Sequence, residues 1–68
     1  METKTISHSE RMYVVSVTGY TVRTTKEEVL KVAEEFVKSL TNKEVKAVAS
    51  LYGCYDRVWQ YKVTVTVQ

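Results

Sequence analysis

Cys54 is the only cysteine of this chain and His8 the only histidine. A thiolate nucleophile needs a base within hydrogen-bond reach. Cys54 sits beside Tyr55 in a turn-like stretch, whereas His8 lies in a polar N-terminal segment. One cysteine cannot close an internal disulfide, and one cysteine with one histidine makes a poor metal site. Glu27, Glu28, Glu34 and Glu35 are paired carboxylates of the kind used in acid–base catalysis. Their spacing puts them on the outward face of a helix, where water screens them. Trp59 and Tyr61 could stack a planar ligand or a base. They share a strand face with Val63 and Val65, which reads as core. Lys4, Arg11, Arg23, Lys43, Lys46, Arg57 and Lys62 are scattered, and the net charge of +2 is too small to argue for nucleic acid. There is no phosphate-cradling glycine loop. These residues assemble no catalytic set, so no enzyme and no metal centre are expected.

The elements that would position them begin with the closing strand. From Trp59 to Val67 every odd position is large and apolar, and from Gln60 to Gln68 every even position is polar. Successive strand side chains point to opposite faces, so this strand has one dry and one wetter face. Residues 11–18 are β-branched and aromatic, with Tyr13, Val15 and Val17 on one side. Beyond Gly19 the apolar residues are Tyr20 and Val22, so the phase shifts. Two readings fit. Gly19 is a bulge or strand end, or Thr18-Gly19 is a hairpin turn pairing Val17 with Tyr20 and Val15 with Val22. The first is preferred because Thr-Gly is a weak hairpin signal.

Thr25-Lys26-Glu27-Glu28 has the spacing of a capping box. Val29, Leu30, Ala33, Phe36, Val37 and Leu40 then form one apolar stripe. Glu27–Lys31 and Glu34–Lys38 are i,i+4 pairs in the favourable order, and Asn42 is a stop signal. The spacing predicts a helix over 26–41. Residues 44–52 fit both periods, and the strand is preferred because Gly53-Cys54-Tyr55-Asp56 then reads as a turn. If Leu51 and Trp59 share a face, the loop between them has odd length, 53–55 or 53–57, and a two-residue turn is excluded.

The expected fold is α+β: one strand–helix–strand–strand domain over 10–68, after a polar tail at 1–9. Its sheet is three-stranded and antiparallel, with the last strand in the middle and the helix on one face. The helix would cover Trp59, Tyr61, Val63 and Val65. The face carrying Val58, Gln60, Lys62, Thr64 and Thr66 would stay uncovered.

Sixty-eight residues give a small core. A domain of roughly 60 residues buries only about 60% of its unfolded surface. Without a disulfide or metal, self-association is the expected remedy. No apolar run approaches the roughly 18 residues of a membrane span, and residues 1–8 lack the apolar run of a signal peptide. A cytoplasmic, reducing setting is the expectation.

In element order and landmarks the chain resembles the dodecins, small flavin-binding proteins, over residues 12–67. Val14-Val15-Ser16-Val17-Thr18-Gly19 resembles their first strand, and Thr24 or Thr25 supplies a hydroxyl near the helix start. Leu40-Thr41-Asn42 resembles the helix end, Gly53 falls where their second strand turns, and Tyr61-Lys62-Val63-Thr64 with Val67 resembles the last strand. The resemblance implies a hollow dodecamer with FMN or FAD held between symmetry-related subunits. Val45 stands where the family has its stacking tryptophan, and Lys62 where it has a flavin-contacting glutamine. The resemblance and the uncovered face together make Val45, Gln60, Lys62 and Thr64 the candidate ligand or interface residues. The sequence thus reads as a non-enzymatic, homo-oligomeric binding or storage module. The alternative is a small protein–protein interaction module, in the style of a phage inhibitor, acting through exposed tyrosines and an edge strand.

Overall fold

The computed structural model describes residues 2–20 and 25–68, leaving the Tyr55 side chain undescribed. Its elements are β1 (Glu2–His8), β2 (Met12–Gly19), α1 (Lys26–Thr41), β3 (Val45–Tyr55) and β4 (Val58–Val67). The strands form one antiparallel sheet in the order β1-β2-β4-β3.

The expected three-stranded sheet is therefore corrected to a four-stranded one. β4 does lie between β2 and β3, antiparallel to both. The added strand, β1, comes from residues expected to be a polar tail, and pairs with β2 from Glu2↔Thr18 to His8↔Tyr13. Thr3 and Thr5 lie opposite Val17 and Val15 and share their face. Threonine is β-branched and suits a pleated surface, but its hydroxyl hides the alternation from an apolar pattern.

α1 matches its sequence signals. The Thr25 hydroxyl accepts from the Glu28 N–H at 3.2 Å, and Asn42 closes the helix in the left-handed region, its N–H donating to the Lys38 carbonyl. Val29, Ala33 and Val37 are fully buried against Val15, Val17, Val63 and Val65. Fully burying such an aliphatic side chain contributes roughly 1.5–3 kcal/mol. Leu40, expected in the stripe, is exposed instead. Glu34 is not on a purely solvated face: its carboxylate accepts from the Ala47 N–H at 2.8 Å, and Lys38 lies 3.9 Å from Glu44.

The β2–β4 register runs unbroken from Met12↔Thr66 to Gly19↔Trp59. Gly19 is thus a strand end, not a bulge. Val17 pairs with Thr3 and Tyr61, not with Tyr20. Val22 and Thr24 lie outside the described residues. A Cβ at Gly19 would fall inside the Trp59 indole, so only glycine lets that ring lie across β2.

The turn before β4 overturns the parity argument. Tyr55 pairs with Val58, and only Asp56 and Arg57 lie between them. Their φ values are 48° and 68°, the positive pair that a type I′ hairpin turn requires. A two-residue turn works because β3 is bulged: its register shifts between Ala47 and Ala49. One extra residue flips every later side chain to the other face. Val45 and Ala47 face the helix, but Leu51 pairs with Lys62 on the open side.

Candidate functional site

Alternation along β4 places Gln60, Lys62 and Thr64 together on the face away from α1. Val45 does not join them. It pairs with Val67 on the helix side and packs against the core. A single chain therefore keeps Val45 and Lys62, the two positions that the dodecin resemblance assigns to flavin, on opposite faces. Trp59 is 7% exposed, sealed between Gly19 and the core, with its ring edge-on to Tyr61. Its faces are not open to a planar ligand.

The open face is polar and tied down. Ser16 is buried there and its hydroxyl donates to the Lys4 carbonyl at 3.4 Å. The Gln60 amide donates to the Thr18 hydroxyl at 3.5 Å, and Thr66 donates to the Lys46 carbonyl at 3.2 Å. Near the β3–β4 turn this face opens into a shallow depression of about 550 Å³ lined by Thr18, Gly53, Cys54, Asp56, Val58 and Gln60. A Cβ on Gly53 would meet nothing within 4 Å, so the depression is open there. Leu51, Tyr52 and Lys62 border a second concavity that shares Gly53 and Gln60.

A pattern that sequence reasoning missed lies along β3. It forms one edge of the sheet, and no residue from Ala47 to Tyr55 is charged. Val48 is 54%, Leu51 68% and Tyr52 47% exposed. The Tyr52 ring leans on Tyr61, with centroids 4.8 Å apart. The signal was present as a charge-free run, but reading Gly53-Cys54-Tyr55-Asp56 as a turn concealed the strand's length. Cys54 is exposed. His8 stacks on Tyr13, with centroids 5.2 Å apart, on the first hairpin.

At the far corner the Tyr20 phenol donates to the Glu2 carboxylate at 3.2 Å. That hydrogen bond, reinforced by the carboxylate charge, raises the phenol pKa above its ordinary value. Among the described residues no three His, Cys, Asp or Glu side chains converge as a metal site. None of the described helices is long and apolar enough to cross a membrane.

Comparison with known proteins finds no match among family models, curated proteins or solved structures.

Proposed function

We propose that this chain is a non-enzymatic binding module that works as a homo-oligomer. The observation that carries this reading is the exposure of Val48, Leu51 and Tyr52 on a long, uncharged sheet edge. Such an edge offers unpaired backbone donors and acceptors beside apolar side chains, a template for another strand. A core built mainly of valines, in a chain of 68 residues, gains from any further burial. The depression near Thr18, Gly53 and Gln60 supports a small polar ligand on this face, and the resemblance to the dodecins makes a flavin the first to test.

Light scattering on purified protein tests the assembly. The expected result is a mass at least twice that of the chain at micromolar concentration; a monomer there overturns the reading. Added flavin tests the ligand: quenched fluorescence supports it, and an unchanged signal removes flavin from the proposal. A second reading, a partner of different sequence docking on the same edge, draws on the exposure of Tyr52. Aromatic residues are favoured at interfaces. Stoichiometric co-purification of one foreign protein with a monomeric chain supports it.

A further inference from the structure

We infer that β3 pairs antiparallel with β3 of a second copy, with Leu51 on the twofold axis. This rests on the self-association proposed above and names its surface. A twofold interface must be self-complementary, each residue meeting its symmetry-related counterpart. The charges bounding the bare stretch meet that condition. Lys46 and Asp56 stand at opposite ends of the bare stretch, five residues either side of Leu51 in sequence, with the bulge bringing Lys46 one ladder position nearer, and only uncharged residues lie between them. Antiparallel pairing centred on Leu51 brings Lys46 of one copy to the end where Asp56 of the other lies, and repeats this at the opposite end. Parallel pairing would set like charges side by side, which is unfavourable.

Sterics agree. Near the axis the flanking residues are Ala49, Ser50 and Gly53, small enough for two backbones to approach. The strand is not free along its whole length: Glu34 already holds the Ala47 N–H, so pairing runs over the segment beyond the bulge. The twofold axis is perpendicular to the sheet, so the product is one continuous eight-stranded sheet. Both helices then lie on the same side, with the two Tyr52–Tyr61 ring pairs in the gap between them. The two open faces merge on the other side.

Leu51→Lys tests the inference, because Leu51 is exposed and its replacement leaves the core intact; circular dichroism checks the fold. A lysine on a strand edge blocks pairing. Association is expected to weaken at least hundredfold, giving a monomer at micromolar concentration. In addition, Lys46→Glu weakens association roughly tenfold by setting two acids together at each end, and adding Asp56→Lys restores it. If Leu51→Lys keeps the wild-type mass, this interface is wrong while self-association stands. Failure of Asp56→Lys to rescue Lys46→Glu overturns the antiparallel register. A monomeric wild type overturns both readings.

Discussion

The two edges of this sheet are built on opposite principles. β1 carries Glu2 and Lys4, alternates them with threonines and is bulged between Thr5 and Ser7. β3 is longer and carries no charge beyond Lys46. Charges, short length and bulges discourage a strand from recruiting a neighbour. β1 has all three devices. β3 has a bulge only near its beginning, where Glu34 also occupies a backbone donor. The protected part of β3 lies beside the helix, and the unprotected part lies beyond it. An edge left open on one side of a molecule that defends the other points to use rather than neglect.

That contrast can be broken in several ways, beginning with the largest expected effect. Leu51→Lys makes β3 resemble β1. Association measured by analytical ultracentrifugation should fall by at least a hundredfold, about 2.7 kcal/mol, while the urea midpoint of the dissociated chain drops only slightly, the new charge lying opposite Lys62. Glu34→Ala strips the guarded end of β3 of its acceptor. It should cost about 1 kcal/mol of stability in urea titration, with most of the loss recovered by Glu34→Gln, which keeps an oxygen in place. Arg57→Gly relieves a left-handed residue that carries a side chain. It should stabilise the β3–β4 hairpin by about 0.5 kcal/mol, after the entropy cost of glycine. Lys4→Ala, on the protected edge, should change stability by less than about 0.5 kcal/mol and leave the mass in solution unaltered; a rise in mass would show that the charge was holding association back.

The smallest effect concerns the anchor of β1. The Tyr20 phenol is held protonated by Glu2, so its pKa is raised in the fold. This contact is fully present below the ordinary phenol pKa and fades as pH climbs through the raised one. Glu2→Gln should lower the Tyr20 transition toward its ordinary value, read by tyrosinate absorbance, with no change at neutral pH.

Much of the helix-covered half was legible in the residues. Thr25 and Asn42 mark both ends of α1, and the alternation from Trp59 to Val67 places β4 at the centre with the correct face inward. The open-face group of Gln60, Lys62 and Thr64 follows from the same period of two. Val45 does not belong to it, because that position came from a resemblance and not from alternation. β1 escaped notice because its inward residues are threonines. The β3–β4 turn was misread because a bulge leaves no compositional trace, and because neither Asp56 nor Arg57 is the glycine that usually announces a type I′ turn. An arginine at positive φ is a structural fact that no local rule predicts.

The strand order has one more consequence, for the path to the folded state. β1 and β2 are joined by residues 9–11, and β3 and β4 by Asp56 and Arg57 alone. Both hairpins can close locally, on the microsecond scale typical of such units. The one seam that joins distant parts of the chain is β2 against β4, where Val15 meets Val63 and Val17 meets Tyr61. Loop closure across that separation is entropically the costly step. The rate of folding should therefore respond to changes along this central seam, whereas changes in either outer strand should be felt mainly in the rate of unfolding.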